Sequence, residues 1–244
     1  MKTLLAALCL ACAGACAAQT LQPRDIDGDG TVDAWYDPGR DLSWLADANA
    51  AAGSPFDNGS HGGDGRMTRN AALSWAAWLD VAGVTGWRLP SVVDLGSPGC
   101  DAAYAGTDCG YNVDTASSEM AHLFHAVLGN LSAYDATGQA RPGVSGTDWG
   151  LVNAGPFVHA QNDAHWIGTP YPSPTVPMGW SFFTLSGRQV PFSHAAEMYA
   201  WAVHDGDVAA VPEPASAALL GLLGLGWLAR RRTAGVWPLE AGAA

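Results

Sequence analysis

An apolar segment stands at each end of this 244-residue chain, and together they confine any globular core to the stretch between them. At the C-terminal end, Val211-Pro212-Glu213-Pro214 leads into a nearly unbroken apolar run, residues 215–229, closed by Arg230-Arg231-Arg232. The prolines keep the approach extended, because each fixes its own φ and disfavours helix in the residue before it. The run reads as a short transmembrane helix, below the ~20 residues that span a ~30 Å hydrocarbon core comfortably. The arginines favour the cytoplasmic side. An ordinary tail anchor is the competing reading, and a tail, residues 233–244, continues past the basic cluster.

At the N-terminal end, Lys2 precedes Leu4-Leu5-Ala6-Ala7-Leu8-Cys9-Leu10-Ala11, and small residues follow as far as Ala15-Cys16-Ala17. This is the pattern of a secretory signal peptide over residues 1–17. A lipid-anchored Cys16 is the alternative, although Ala13-Gly14-Ala15 lacks the large aliphatic residue usual three positions before such a cysteine.

Between these segments lies a body, residues 18–210, long enough for one domain with its own core. The whole chain carries a formal net charge of −12 at pH 7. Of its 23 acidic residues only Glu213 and Glu240 fall outside the body, whereas Lys2 and the three tail arginines are lost from its 11 basic ones. The body is therefore strongly acidic and contains no lysine. Such a surface repels nucleic acid and anionic lipid, and suits divalent cations or a neutral polymer. Because the charges are scattered, a purely solubilising role fits equally well.

Cys9, Cys12 and Cys16 belong to the signal region, which leaves Cys100 and Cys109 between Pro98-Gly99 and Gly110-Tyr111. In an exported chain such a pair reads as a loop-closing disulfide. Closure of so short a loop contributes about 2–3 kcal/mol by the chain-entropy argument. A redox or metal pair is the alternative, without a CxxC spacing to support it.

Thirty glycines and fifteen prolines predict a loop-rich α+β body. Apolar residues at helical spacing predict one helix from Thr68, as N-cap, through Ala71, Ala72, Trp75, Trp78 and Leu79, and a second over 117–128 ending at Gly129. Short strands are expected at 34–36, 42–45, 86–89, 165–169, 180–185 and 199–203, with Ser186-Gly187 turning into a further strand at 189–192. Residues 53–65 and 96–112 read as polar, glycine-rich loops.

The sharpest chemical motif is Asp25-Ile26-Asp27-Gly28-Asp29-Gly30-Thr31-Val32-Asp33. Carboxylates at loop positions 1, 3, 5 and 9, a glycine at 6 and the Thr31 carbonyl at 7 are what a calcium loop needs. Tyr36 stands where the usual bidentate glutamate would be, and no flanking helix pair is evident. A solvated acidic turn is the competing reading. Glu119, His122 and His125 share helical spacing and offer a metal pair, with His159, His165, His194 or His204 as further ligands. A structural role for them is the simpler expectation, as it is for Arg88 within Trp87-Arg88-Leu89-Pro90.

The C-terminal pattern of Pro212-Glu213-Pro214, apolar run and arginine stop resembles the PEP-CTERM sorting signal of Gram-negative bacteria. That resemblance implies recognition by an exosortase at the inner membrane, cleavage near Pro-Glu-Pro, and delivery to the cell surface or the extracellular matrix. The sorting signal then spans 211–232. The body, in turn, carries an ordered succession: Asp41-Leu42-Ser43-Trp44-Leu45, Gly65-Arg66-Met67-Thr68, Gly86-Trp87-Arg88-Leu89-Pro90, Glu119-Met120-Ala121-His122, Trp166-Ile167-Gly168-Thr169 and Tyr199-Ala200-Trp201-Ala202-Val203. This succession resembles the domain of unknown function at the C-terminus of the Lcl collagen-like adhesin. It implies a C-type-lectin-like fold, a twisted antiparallel sheet with two helices and long loops, to which Trp166-Ile167-Gly168 would give the core strand.

Enzyme signatures are lacking: there is no Gly-x-Ser-x-Gly elbow, phosphate loop or His-Glu-x-x-His, and no cysteine is placed as a nucleophile. The Glu-Pro-Asn triplet of calcium-dependent sugar binding is also missing from the body. The expectation is a non-enzymatic exported surface or matrix protein that binds exopolysaccharide or a surface protein. Its contacts would lie on loops 53–65 and 96–112, with Tyr104, Tyr111 or Tyr171. A secreted metal-dependent polysaccharide-modifying enzyme and a purely structural matrix protein are the alternatives.

Overall fold

A computed structural model describes residues 20–208, so the segments read above as a signal peptide (1–17) and as a sorting signal, with Pro212, Glu213, Pro214, Arg230, Arg231 and Arg232 and the apolar run between them, lie outside the described residues. Within them the protein is α+β. No helix among the described residues is long and apolar enough to cross a membrane.

Two sheets form in place of the single one expected. The first runs β1 (Gln22–Arg24), β2 (Ala34–Asp37), β3 (Leu42–Leu45) and β9 (Val203–Asp205), all antiparallel. The second has the order β4 (Ala102–Ala103), β5 (Cys109–Tyr111), β8 (Arg188–Ser193), β7 (Met178–Phe183) and β6 (Ala164–Pro170). Only β4 and β5 in it are parallel. The chain over 199–205 joins the two. Tyr199 bridges His165 of β6, while Val203 pairs with Trp44 of β3 and with Arg88 on its other side. The expected strand at 199–203 is thus an extended seam that becomes a ladder only at its end. The expected strand at 86–89 is reduced to the single Arg88–Val203 bridge.

The hairpin β7–β8 turns at Ser186-Gly187 as its sequence indicates, and six register pairs hold it, from Met178–Ser193 to Phe183–Arg188. The helix α1 covers Arg69–Trp78 and buries Ala72, Trp75 and Ala76. Thr68 stands at its N-cap, but its side chain makes no capping bond; its hydroxyl and N–H are taken by Asn58 instead. The second helix, α2 (Glu119–Ala121), is capped by Ser118, whose Oγ accepts from the Ala121 N–H at 3.2 Å. It widens at once into a π-helical segment, His122–Val127, closed by the Leu128 N–H donating to the Leu123 carbonyl. Gly129, at φ +69°, ends it.

Tryptophan fills the core. Trp44, Trp75, Trp166, Trp180 and Trp201 are all fully buried, with Trp44 and Phe157 edge-on to Trp201 at 5.4 and 4.8 Å. Two of these indoles also tie the chain together, since Trp166 donates to the Met67 carbonyl and Trp201 to the Leu45 carbonyl. Between Trp166 and Pro170 the pairing of β6 with β7 slips. The buried guanidinium of Arg69 donates to the Gly168 and Thr169 carbonyls, in the stretch where the ladder fails them. Gly179 makes room for it, because a Cβ there would sit 2.1 Å from Arg69.

Candidate functional site

The Cys100–Cys109 disulfide is formed, and it closes the loop that lays β5 parallel beside β4. Gly110 permits this approach: it has φ +93°, and a Cβ would meet the Ala103 carbonyl oxygen at 2.0 Å. At the next turn Asn112 donates from Nδ2 to two carbonyls, Tyr104 at 2.8 Å and Tyr134 at 3.0 Å. One amide thus fixes two chain segments that each carry a tyrosine.

The consequence is a cluster of three aromatic rings. Tyr104 and Tyr111 lie almost parallel, 8° apart with centroids at 6.0 Å, and Tyr134 tilts against them at 5.4 and 4.7 Å. Tyr104 is 45% exposed. Register then places Arg188, the first residue of β8, directly opposite Tyr111, with its guanidinium carbon 5.9 Å from the ring centroid. Arg188 is exposed and has no ion-pair partner among the described residues. Burial raises the Tyr111 phenol pKa against the opposing pull of Arg188, so the ring is neutral at ordinary pH. Ala102, Ala103 and Gly110 leave a recess of about 290 Å³ beneath Tyr104, Tyr111 and Arg188. Because β4 is an edge strand, its unpaired backbone groups are open to a ligand as well.

Tyr171, expected on this surface, does other work. It packs edge-on against Trp180 at 5.0 Å, and its hydroxyl accepts from the Cys100 N–H, pinning the disulfide loop to the core. Tyr134 and Arg188 were not legible in the sequence; the only hint was a lone basic residue opening the strand after Ser186-Gly187.

The other expected contact loop, 53–65, is tied down around Asp57, whose Oδ2 accepts from the Gly53, Gly63 and Gly65 N–H groups at 2.9–3.0 Å. Beside it a recess of about 400 Å³ is lined by Phe183, Phe192, Met198 and Glu197. Its one cation, Arg66, is already held by Asp163 at 2.9 Å and by the Glu197 carbonyl.

In the acidic loop, Asp25, Asp27 and Asp29 each bring one carboxylate oxygen within 4.8 Å of the others. The donor set is all oxygen, the kind a hard divalent cation takes. The same carboxylates organise the loop themselves: Asp25 accepts from Gly28 and Gly30, Asp27 from Asp29, and Asp29 from Thr31. Asp33 is not gathered into this group; its Oδ2 accepts from the Ile26 N–H, and Thr31 is exposed.

Glu119, His122 and His125 do not converge. Glu119 pairs with Arg88, His122 Nε2 lies 3.0 Å from Asp37, and His125 Nδ1 donates to the Asn130 carbonyl. Among the described residues no second group of three metal-ligand side chains gathers within 4.8 Å. No protein-family model, curated protein or solved structure matches the chain.

Proposed function

We propose that this is an exported, non-enzymatic cell-surface or extracellular-matrix protein that binds exopolysaccharide through the Tyr104–Tyr111–Tyr134 platform. The platform carries this reading. Flat aromatic rings held rigid at a surface give the C–H faces of a pyranose large contact area at little conformational cost. They sit over a recess of about 290 Å³ on a disulfide-tied loop. Binding residues on loops held by a rigid scaffold are the usual arrangement for recognition.

The terminal segments supply the route, with a signal peptide for export and a PEP-CTERM-like tail for an exosortase, after passage through an inner-membrane intermediate. The two helices, the antiparallel pairing and the long loops are in keeping with a C-type-lectin-like module. Calcium at Asp25, Asp27 and Asp29 would brace the N-terminal strands rather than touch the sugar. The test is retention of the full chain on the producing organism's own exopolysaccharide, with and without calcium. Saturable binding that the Tyr104→Ala/Tyr111→Ala double variant loses, while keeping its circular dichroism spectrum, supports the reading. Equal binding by the variant, or none by the wild type, overturns it.

A further inference from the structure

We infer that the sugar taken by this platform carries a carboxylate, and that Arg188 is the residue that reads it. The inference rests on the platform reading above and adds the ligand's charge to it.

Arg24, Arg66 and Arg88 are each engaged by a carboxylate of the protein itself. Arg188 is not, although the chain holds twice as many acidic as basic side chains, 23 against 11. It is nonetheless fixed in place. The β5–β8 register sets it opposite Tyr111, and its guanidinium lies over that ring. Stacking of this kind orients the planar group and leaves its edge, with several N–H donors, free to meet a carboxylate in two-pronged fashion. Tyr104, Tyr111 and Arg188 line one recess. A sugar ring resting on the tyrosines therefore presents its ring substituent to the guanidinium. A uronic acid, or a sugar bearing a carboxylated acetal, has both features in a single residue.

The rest of the surface narrows the class. A net charge of −12 opposes any densely charged polyanion at long range. One guanidinium in such a field selects a local carboxylate, in a polysaccharide whose acidic groups are well spaced, over a heavily sulfated chain.

The test measures the full chain against xanthan and gellan, whose acidic groups are spaced along a multi-sugar repeat, each beside its carboxyl-reduced product, with dextran sulfate and poly-L-glutamate as controls. The native polymers are expected to bind about tenfold tighter than the reduced ones, the factor given by a charge-assisted hydrogen-bond pair. Arg188→Gln is expected to erase that difference, so that native and reduced polymers bind the variant alike. Arg188→Lys, which keeps the charge but loses the fork, should restore only part. Equal affinity for native and reduced polymers overturns the carboxylate inference and leaves the platform standing. Failure of every polysaccharide, with Tyr104→Ala indifferent, overturns both. Binding of dextran sulfate or poly-L-glutamate as tight as that of the uronate polymers overturns it in favour of plain charge attraction.

Discussion

Arg88 and Glu119 meet in a two-pronged ion pair, each guanidinium nitrogen 2.8 Å from its own carboxylate oxygen. Glu119 also accepts from the Ser91 N–H at 2.6 Å, and Arg88 reaches on to Asp205 and the Leu89 carbonyl. The pair joins the start of α2 to the seam at Val203, because the Arg88 backbone is bridged to that residue. Glu119 is thereby occupied as a brace. Glu119→Gln leaves exposed Asp205 as the one carboxylate on Arg88 and weakens the Ser91 contact, and the expected cost is about 2 kcal/mol. A urea titration that shows no shift in midpoint would remove the brace. Stoichiometric zinc retained by the wild type and lost by the variant would return Glu119 to the role of ligand.

The helices were legible because burial imposes a period that survives in the sequence, as at Ala72, Trp75 and Ala76. The π-helical widening was not. It rests on a backbone bond from the Leu128 N–H to the Leu123 carbonyl five residues back, which no spacing of apolar residues announces. The hairpin at Ser186-Gly187 could be read from its turn residues. The strands at 86–89 and 199–203 could not be told from extended chain, since β-patterned residues say nothing of how many partners the backbone will find. The platform divides in the same way. Tyr104 and Tyr111 were recognisable as loop aromatics, whereas Tyr134 and Arg188 reach them only through the Asn112 amide and the β5–β8 register. Both are long-range relationships.

The acidic loop predicts a calcium effect that can be separated from the rest of the molecule. Asp27 and Asp29 are exposed and support only local turns, so losing either alone costs the fold little. A cation held at Asp25, Asp27 and Asp29 stabilises the folded state by about 2.7 kcal/mol at one hundred times its Kd. The expected result is a melting temperature that rises with calcium chloride and falls back with chelator. Asp27→Ala should abolish the response while leaving the chelated melting point in place. A wild-type melting point indifferent to calcium would reduce the loop to a self-bonded acidic turn.

His165 makes stability depend on pH. The ring is fully buried, its Nδ1 donates to the Asp163 carbonyl, and its Nε2 has no partner. Burial holds its pKa down at about 4, against 6.5 for an ordinary histidine. In that interval the unfolded chain binds a proton that the folded one refuses, so stability falls as the pH drops from 6.5 toward 4. The slope is up to about 1.4 kcal/mol per pH unit. His165→Phe should flatten the denaturation midpoint over this window, whatever it does to stability at pH 8. An unchanged slope would assign the acid sensitivity to other groups.

The disulfide should matter to binding more than to folding. Cys100 and Cys109 are nine residues apart, so breaking the bond releases about 2–3 kcal/mol of chain entropy into the unfolded state. The core, built on Trp44, Trp166, Trp180 and Trp201, survives that loss. The loop between the cysteines is less protected, because Tyr104 hangs from a two-residue strand and one Asn112 bond. Freed from its closure, that loop pays its ordering cost each time a ligand docks, about 0.5–1.5 kcal/mol for each side chain immobilised. The Cys100→Ser/Cys109→Ser variant should therefore keep its near-ultraviolet tryptophan spectrum while its affinity for polysaccharide drops about tenfold. If affinity holds while the melting temperature falls, the platform is rigid without its bond, and Tyr171 and Asn112 alone are enough to set it.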